Sequence, residues 1–535
     1  MRRCLSILLI LAATRTASSA PLADGAAVRF DVPAPVGIDW NLRLADVPFA
    51  AATDLSPCAG VSFELRCADR KVLTDVWLLF HSGRGYWRAR VALPEKAGVW
   101  TSRTVLKRDV RLYHWDTHVS LFDVREEVSE AETPDWRRVG GLRLVVGFDP
   151  TLTSADATVE IRNVVSVAAG SADEREALKA SAARHAATLA AVRAMPSRGG
   201  ERRFLCTHMW GLDDDWERSC ALAASNGITD IVPLVALEGY AYYGSKIETV
   251  SPLVAKRGDP LAACLKACRR HGLRCHPWRS CWTLGHSATE AYLAEMEGKG
   301  LLQVGFDGRR VDWFCPNNPA NVRREVASLV ELAHRGADGI MLDYFRFPSS
   351  NACFCATCRA AFGRHIGRAV SPWPAAVRTD AALAREWEAF RVATITDALK
   401  AVAEGVRRAA PGLELSSAVS AMPDWGRTDR GQDWEDWCRA GILDLVLPMD
   451  YCSHVKQLEM FLAAQKRAVA GTRTRLCPLI AFACGGIPFL DPDELGRQIG
   501  AVRAAGVKDW GFFRLEEYAP AALEMLRQGP LKESR

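Results

Sequence analysis

The sequence predicts an α/β protein in which a (β/α)₈ TIM barrel is preceded by an antiparallel β-sandwich domain. From residue 203 onward, eight apolar runs of strand length alternate with helical segments, which is typical of a barrel built from βα units. Before them, apolar and polar residues alternate in short runs separated by Gly, Pro and Asp, as in a sandwich. The predicted domains are a signal peptide at 1–20, the sandwich at 21–168, a helical linker at 169–202 and the barrel at 203–535.

The N-terminus has the layout of a secretory signal peptide. Arg2 and Arg3 precede an apolar run from Leu5 to Ala13, and small residues follow from Ala17 to Ala20. The run is too short to span a bilayer, and no later segment reaches the roughly 18 uninterrupted apolar residues of a membrane span. We therefore expect a secreted or periplasmic protein without a membrane anchor. The paired arginines also admit export in the folded state by the twin-arginine route.

The composition is that of an ordinary globular protein, with 49% hydrophobic and 24% charged residues in a chain of 535. The formal net charge of +5 is small for this length, and the basic residues are spread along the chain. The sequence therefore lacks the basic patch of a nucleic-acid-binding protein. It contains 17 Trp, a side chain on which sugar rings stack and which also fills protein cores. We expect a carbohydrate partner and no nucleic acid.

The first domain carries aromatic residues whose role the sequence leaves open. The predicted sandwich strands are Val61–Leu65, Val76–Phe80, Tyr86–Leu93, Leu142–Phe148 and Thr158–Val165. Sandwiches beside sugar-processing domains often bind carbohydrate, and Trp77, Trp87 and Trp100 would then form a stacking platform. The alternative is that these tryptophans fill the core of a spacer domain. A capping box from Ser171 to Glu174 then opens an Ala-rich helix that runs to about Ala194.

The barrel prediction depends on eight strand-like runs. They are Phe204–Met209, Ile228–Ala236, Arg274–Trp282, Gly339–Phe347, Leu413–Ala421, Leu443–Asp450, Leu476–Ala483 and Trp510–Leu515. The clearest helices between them are Pro260–His271, Val322–Arg335, Glu386–Arg408, Val455–Val469 and Pro492–Ala505. Since catalytic groups of such barrels lie at the C-terminal ends of the strands, the residues at those ends are the candidates for chemistry.

Carboxylates at two strand ends predict proton-transfer chemistry. A glycosidase needs two carboxyl groups, one as general acid and one as base or nucleophile. Asp343 ends the apolar fourth strand and is the principal candidate, although an ion pair with Arg346 would give it a structural role instead. For its partner we favour Asp450, at the end of the sixth strand, with Glu516 after the eighth as the reserve. Asp450 could instead cap the next turn or bind a substrate hydroxyl.

Several other residues near strand ends are candidates for binding sugar, because aromatic rings stack on sugars and charged groups bind hydroxyls. They are Trp210, Glu238, Trp278, Tyr344, Arg346, Trp425 and Tyr451. The seventh strand ends in Phe482-Ala483-Cys484-Gly485-Gly486 and supplies no acid.

A group of cysteines follows Asp343. Cys353, Cys355 and Cys358 form C-x-C-x-x-C, a spacing at which three thiolates chelate one zinc ion, and a closed structural site needs a fourth ligand. The best supplier is Cys315 in the preceding loop, with His365 as the runner-up. Disulfides are the alternative because export favours them, but three clustered cysteines would leave one unpaired. We expect a structural Zn²⁺.

A second group, Cys264, Cys268, His271 and Cys275, also has metal-like spacing. Here the apolar interpretation is favoured, because Cys264 and Cys268 are one helical turn apart among leucines and read as small buried hydrophobic residues. In the sandwich, Cys58 and Cys67 could pair, and spacing alone does not decide it.

The barrel resembles a known family. Gly336 to Pro348, together with Gly431-Gln432-Asp433-Trp434 through Pro448-Met449-Asp450-Tyr451, is similar to the glycosyl-hydrolase-like family ten, a barrel family with many exported bacterial members. The resemblance spans most of the barrel. It implies a glycan-cleaving enzyme and supports Asp343, whereas relatives can carry a different residue at the position of Asp450.

A second, local resemblance concerns the cysteines. Cys315-Pro316-Asn317-Asn318-Pro319 followed by Cys353-Phe354-Cys355-Ala356-Thr357-Cys358 is similar to the zinc-bearing loop of the β-galactosidases of glycoside hydrolase family forty-two. This implies that Cys315 is the fourth zinc ligand. In that family the proton donor is a Glu at the fourth strand and the nucleophile a Glu at the seventh. This chain has Asp343 near the first position and no acid at the second, so the galactosidase activity does not transfer with the loop.

Together these features predict an exported glycoside hydrolase that cleaves an oligo- or polysaccharide with a carboxylate pair at the C-terminal face of the barrel. The alternative is a catalytically inactive barrel that binds glycans, as the missing seventh-strand acid suggests. A deacetylase or lyase is a third possibility, but no His-His-Asp metal spacing supports a deacetylase.

Overall fold

The structure is a computed structural model. It describes residues 21–532 except residues 24, 32–41, 83–84, 113–134, 150–155, 286–287, 483–490 and 516–518. The predicted signal peptide and Glu516 therefore lie outside the described residues. The chain divides into two compact units, Met1–Ala186 and Ala187–Arg535.

The first unit contains two antiparallel sheets of five strands each. One sheet consists of Pro21–Ala23, Ala26–Asp31, Cys58–Cys67, Thr101–Leu106 and Asp156–Ala168. The other consists of Leu42–Thr53, Leu73–Ser82, Gly85–Val91, Arg111–Leu112 and Val139–Phe148. Short 3₁₀ turns occur at Arg70–Val72 and Lys107–Asp109. All five predicted strands are present, and the sandwich prediction is confirmed.

The two sheets share one apolar core, because alternate residues of each strand point inward. Val61, Phe63 and Leu65 pack there with residues of the second sheet such as Leu78 and Phe80. Of the predicted stacking residues, Trp77 and Trp87 are each only 3% exposed. Two guanidinium groups lie over the ring of Trp100, those of Arg66 at 4.7 Å and Arg162 at 3.9 Å. These placements support the core interpretation for Trp77 and Trp87, whereas Trp100 is half-buried and covered by the two guanidinium groups.

Cys58 and Cys67 stand at the two ends of a single ten-residue strand, and both are unbridged. Because a strand rises about 3.3 Å per residue, their separation is far beyond the reach of a disulfide. The possible pairing of these two cysteines is therefore excluded.

The predicted linker is a helix, Ala172–Ala194. Its first turn is capped as the sequence predicts, because the backbone N–H of Glu174 donates to the Ser171 hydroxyl at 3.1 Å. The Glu174 carboxylate in turn accepts from the backbone N–H of Gly170, one residue before the expected partner.

The second unit is a closed barrel of eight parallel strands, in which the first strand pairs with both the second and the eighth. The strands, in order, are Arg202–Thr207, Asp230–Leu237, Arg274–Cys275 with Trp278–Ser280, Gly339–Asp343, Glu414–Ser420, Leu445–Asp450, Arg475–Leu476 with Leu479–Ala481, and Asp509–Leu515. We call them barrel strands 1 to 8. Each of the eight predicted runs overlaps one of them, so the barrel prediction is confirmed.

Helices surround the barrel. They are Trp216–Ser225, Pro252–Arg257, Pro260–His271, Glu290–Gly298, Pro319–Ala333, Ala356–His365, Ala376–Thr379, Ala381–Ala409, Pro423–Arg430, Trp434–Arg439, Val455–Val469, Pro492–Ala504 and Ala519–Leu526, with a 3₁₀ turn at Leu212–Asp214. Two short strands, Tyr240–Ala241 and Thr249–Val250, and a hairpin, Leu302–Val304 with Arg310–Phe314, complete the unit. Within the described residues, no helix combines the length and apolar character needed to cross a membrane.

Side chains of the barrel strands alternate between the barrel interior and the surrounding helices. The interior cluster consists of Phe204, Cys206, Val232, Leu234, Trp278, Met341, Ala418, Leu445, Leu447, Cys477 and Leu479. Their neighbours in sequence, such as Ile340, Leu342 and Val446, belong to the core between strands and helices. This alternation decides which residues at the strand ends reach the barrel mouth.

Candidate active site

Asp343 is the last residue of barrel strand 4 and lies on the interior side of the strand, two residues after Met341. Its carboxyl is 6% exposed. One oxygen, Oδ2, accepts the indole N–H of Trp278 at 3.1 Å, and the other, Oδ1, accepts the backbone N–H of Tyr344 at 2.6 Å. The carboxyl is thus held in one orientation at the mouth of the barrel.

Burial raises the pKa of Asp343 above its usual value of 3.8, because the charged carboxylate is poorly solvated there. The charge of Arg346 is the largest opposing influence, followed by the two hydrogen bonds and the charge of Arg430. A carboxyl with a raised pKa retains its proton closer to neutral pH, as a general acid must.

Arg346 lies in a buried aromatic setting beside this carboxyl. Its guanidinium is 4.8 Å from the centre of the Tyr344 ring and 5.6 Å from that of Trp313. Its Nε has no hydrogen-bond partner. Tyr344 has a φ of 53° and stacks edge-on against Trp313 at 5.6 Å. A buried cationic donor without an acceptor is available to a ligand hydroxyl.

Arg430 is a further cation at this site that the sequence analysis did not identify. It ends helix Pro423–Arg430, and its guanidinium lies 4.4 Å from the ring centre of Trp425. Burial, with the charge of Arg346, lowers its pKa to about 9, and its Nε lies 3.6 Å from the Asp429 carboxylate, an ion pair beyond hydrogen-bond length. The backbone N–H of Phe347 donates to the Arg430 carbonyl at 3.0 Å, which joins the two rim loops.

A signal for Arg430 was present in the sequence, because this residue directly precedes the Gly431-Gln432-Asp433-Trp434 motif. The side-chain oxygen of Gln432 accepts the backbone N–H of Ser420 at 2.8 Å, and the indole N–H of Trp434 donates to the Ser420 carbonyl at 3.1 Å. The motif therefore fastens the end of barrel strand 5 to the segment that carries Arg430.

Aromatic rings form the other side of the mouth. Trp278 is 5% exposed, so its main contribution is to hold Asp343 rather than to present a stacking face. Its ring contacts Phe513 at 5.8 Å, and Phe513 contacts Tyr451 at 4.8 Å. The structure thus brings Tyr451, at the end of barrel strand 6, and Phe513, on strand 8, to the same mouth as Asp343.

Asp450, directly before Tyr451, lies on the opposite side of its strand. Leu445 and Leu447 face the barrel interior, so Asp450 faces the helices. Its carboxyl is fully buried, and its Oδ1 accepts the amide of Gln465, on helix Val455–Val469, at 2.6 Å. The Oδ2 has no partner, and burial raises the pKa of Asp450 well above 3.8. The structure does not bring Asp450 together with Asp343.

The remaining predicted residues have separate surroundings. Trp210, after barrel strand 1, is half-buried with the guanidinium of Arg257 at 4.2 Å from its ring centre. Glu238, after barrel strand 2, has a φ of 52° and packs its side chain against Gly285. Glu516, directly after strand 8, lies outside the described residues.

The four cysteines predicted to bind zinc converge; we call Cys315, Cys353, Cys355 and Cys358 the loop thiol cluster. All four are buried and unbridged, and their sulfurs lie within 4.8 Å of one another. The sulfur of Cys315 is 3.5 Å from that of Cys358 and 3.6 Å from that of Cys355. Sulfurs about 2.3 Å from a tetrahedral zinc ion are about 3.8 Å apart, so the residues present fit a Cys₄ site.

Hydrogen bonds to sulfur support this fit. The backbone N–H of Cys358 donates to the sulfur of Cys355, which caps helix Ala356–His365, and the Asn317 amide donates to the sulfur of Cys358 at 3.3 Å. Such donors stabilise thiolates over thiols. The runner-up ligand, His365, is exposed at the other end of that helix with its ring against Phe390.

The loop thiol cluster also connects to the mouth of the barrel. Cys315 directly follows strand Arg310–Phe314, and Trp313 of that strand contacts Tyr344 and lies near Arg346. The backbone N–H of Phe354, between two of the cysteines, donates to the Val304 carbonyl of the same hairpin at 2.7 Å. An interaction that joins the four cysteines would therefore also fix the position of the hairpin that carries Trp313.

The sequence of the barrel matches a known family. The model of the family described as Glycosyl hydrolase-like 10 matches residues 215–477. The barrel is therefore similar to this family over most of its length, and the predicted resemblance to a glycosyl-hydrolase-like barrel is confirmed. No curated protein matches the chain.

Solved structures to which the chain is similar include β-galactosidases. The enzyme from Bacillus circulans sp. alkalophilus is 12% identical, with a TM-score of 0.43 over 59% of this chain and 50% of its own. That from Halorubrum lacusprofundi is 14% identical, with a TM-score of 0.43 over 58% and 52%. The spore cortex-lytic enzyme SleL of Bacillus cereus is 9% identical, with a TM-score of 0.36 over 62% and 76%. This chain spans about half the length of the two β-galactosidases.

Proposed function

We propose that this protein, whose barrel matches the model of the glycosyl hydrolase-like 10 family, hydrolyses glycosidic bonds of an oligo- or polysaccharide with Asp343 as its proton-transferring carboxyl. The observation that carries the proposal is the setting of Asp343 at the C-terminal face of the barrel. There the carboxyl is oriented by two hydrogen bonds, and its pKa is raised by burial.

In the proposed reaction, Asp343 donates its proton to the glycosidic oxygen as the bond from that oxygen to the anomeric carbon breaks. A water molecule adds its hydroxide to the anomeric carbon. The remaining proton of that water passes to a second carboxylate of the enzyme. Trp278 keeps the Asp343 carboxyl in place. The Nε of Arg346, which has no hydrogen-bond partner, binds a substrate oxygen next to it, and Arg430 adds positive charge there. Tyr344 and Tyr451 provide ring surface for the sugar.

A second carboxylate is needed for the other half of the chemistry. Asp450 is a poor partner because it faces the helices and bonds Gln465. We therefore assign the role to Glu516, which directly follows barrel strand 8. Phe513 and Tyr451 support this choice, because they show that strand 8 reaches the same mouth as Asp343.

The test is Asp343→Asn, which preserves shape and removes the titratable proton. Removing a general acid costs about 10² to 10⁴-fold in rate. We expect a loss of this size in turnover on a panel of polysaccharides and aryl glycosides, with sugar binding measured by calorimetry retained. Glu516→Gln should lose turnover to a similar extent.

The same panel of substrates distinguishes the hydrolase from the rival function, a barrel that only binds glycans. If the wild-type protein binds glycans but releases no product from any of them, the barrel is a binding module and the hydrolase proposal is wrong. Equal turnover of Asp343→Asn and wild type would leave hydrolysis intact but remove Asp343 from it.

We also propose that the loop thiol cluster binds a structural Zn²⁺. When bound, the ion would link the four thiolates and neutralise part of their charge. The cysteines themselves hold the loop of Phe354 against the hairpin of Trp313. Cys355→Ala should lose one zinc ion per chain and lower the melting temperature. Unchanged zinc content in this variant, or disulfides among the four cysteines, would contradict the assignment.

A further inference from the structure

A second group of thiols lies away from the active site, between two barrel helices and a strand; we call Cys220, Cys264, Cys268 and Cys275 the helix thiol cluster. Cys220 is on helix Trp216–Ser225, Cys264 and Cys268 are on helix Pro260–His271, and Cys275 is in barrel strand 3. All four are at most 1% exposed, and none is bridged.

The sulfurs of this cluster are close enough to share an ion. Cys268 is 3.7 Å from Cys220 and 3.9 Å from Cys264, and Cys264 is 3.9 Å from Cys275, measured between sulfurs. Those of Cys264, Cys268 and Cys275 all lie within 4.8 Å of one another. These three separations are close to the edge of about 3.8 Å expected between zinc thiolates, while Cys220 lies outside the group of three and joins it through its contact with Cys268.

The convergence is a product of the fold. Cys264 and Cys268 are four residues apart and so share one face of their helix. The helix ends at Gly272, and the chain turns back so that Cys275 pairs with Ile231 in the barrel, beneath that face. Cys220 comes from helix Trp216–Ser225. His271, the other metal-like residue in the sequence, instead contacts Glu217 at 2.8 Å between Nε2 and Oε1.

Cysteines that merely fill the core of this protein look different. Cys281 and Cys438 are buried too, but their hydrogen bonds go to the Arg279 carbonyl and to Thr474 rather than to another thiol. Among the described residues, thiol-to-thiol contacts of hydrogen-bond length occur in the loop thiol cluster and in the helix thiol cluster. The helix thiol cluster therefore resembles a ligand set more than ordinary apolar packing.

We propose that the helix thiol cluster is a second zinc site, with Cys264, Cys268 and Cys275 as ligands and Cys220 as the fourth. The ion replaces the thiol protons, which pass to the solvent, and no electron transfer is involved. The site links helix Trp216–Ser225, helix Pro260–His271 and the start of barrel strand 3. It stands independently of the hydrolase proposal, because none of its residues lies at the barrel mouth.

The experiment measures zinc per chain by elemental analysis on the full-length protein, purified without chelators from zinc-supplemented cells. We expect two ions in the wild type and one each in Cys268→Ala and in Cys355→Ala, which disables the loop thiol cluster. Cys438→Ala is the matched control: it removes a solitary buried thiol and should retain two ions.

If Cys268→Ala does not fold, titration of the wild type with an organomercurial takes its place. Two zinc ions per chain should be released as the thiols react. One ion in the wild type that is lost in Cys355→Ala would overturn the second site. So would two ions retained in Cys268→Ala. A disulfide between Cys220 and Cys268, detected by peptide mapping, would also overturn it. If only Cys268→Ala loses zinc, this site stands and the loop site is wrong.

Discussion

Asp343 and Asp450 look equivalent in the sequence, since each ends an apolar barrel strand and precedes a tyrosine. Both are buried, and burial raises the pKa of both. They differ in direction. Asp343 points into the barrel mouth, beside Trp278 and two cationic side chains, whereas Asp450 points at helix Val455–Val469 and bonds Gln465. A raised pKa alone therefore does not identify a catalytic carboxyl.

The two carboxyls differ physically in whether a ligand can reach them and form hydrogen bonds beside them. Asp343 has donors on both oxygens and neighbours with unused N–H groups, so a ligand can complete its surroundings. Asp450 has one hydrogen bond and an unpartnered Oδ2 inside the packed helix layer. We interpret it as a buried residue whose carboxyl, with a raised pKa, joins strand 6 to its helix.

Activity should separate the two residues most strongly. Asp450→Asn should retain most of the wild-type kcat/KM, because the amide has the size of the protonated carboxyl and lies away from the mouth. The measurement is kcat/KM beside that of Asp343→Asn on the same substrate, for which we expect the loss of about 10² to 10⁴-fold stated above. Equal losses in the two variants would place Asp450 in the catalytic machinery.

Stability should depend on Asp450 in a pH-dependent way. Because its pKa is higher in the folded than in the unfolded state, the folded protein holds a proton that the unfolded chain has released once the pH exceeds about 4. The wild type should therefore lose stability relative to Asp450→Asn as pH rises from there, by at most about 1.4 kcal/mol per pH unit, until the folded pKa is reached.

Urea unfolding of both proteins between pH 4 and pH 8 measures this difference. A constant difference across the range would show that Asp450 titrates alike in the folded and unfolded states. The same measurement on Asp343→Asn tests whether the stability of the wild type relative to this variant also falls as pH rises. The raised pKa of Asp343 predicts that it does.

The smallest expected effect concerns the pH profile of activity. The charges of Arg346 and, less strongly, Arg430 lower the pKa of Asp343. Activity that needs a protonated Asp343 falls as pH rises through this pKa. Arg346→Gln should therefore move the alkaline limb of kcat/KM to higher pH, and Arg430→Gln should move it less. Asp450→Asn should leave the limb in place; a shift there would link the two carboxyls.

Local patterns were sufficient for most of the fold. Pro260–His271 and Val455–Val469 begin and end where the sequence predicts, because proline or a capping side chain starts each helix and the apolar period continues to its end. The eight strands follow from apolar runs between such helices. Barrel strands 3 and 7 are broken in two, which apolar composition does not reveal.

The site was predictable where one chain segment carries it. Asp343, Tyr344 and Arg346 are neighbours in sequence, and the C-x-C-x-x-C spacing indicated the loop thiol cluster. Arg430, Trp313 and Phe513 were missed because each comes from a different loop or strand; only Arg430 had a nearby signal, the motif that begins at Gly431. Cys220 was missed as a partner of Cys268 for the same reason.

The sequence by itself determined the barrel, the strand that carries Asp343 and three of the four cysteines beside it, because these depend on periodicity and spacing within short segments. Only the tertiary structure decided which way Asp450 faces and that Cys220, Cys264, Cys268 and Cys275 meet. Whether a side chain faces the interior or the helices depends on whether its position in the strand is odd or even relative to the closed barrel. Whether the thiols meet depends on how separate helices pack. Neither property belongs to any single stretch of chain.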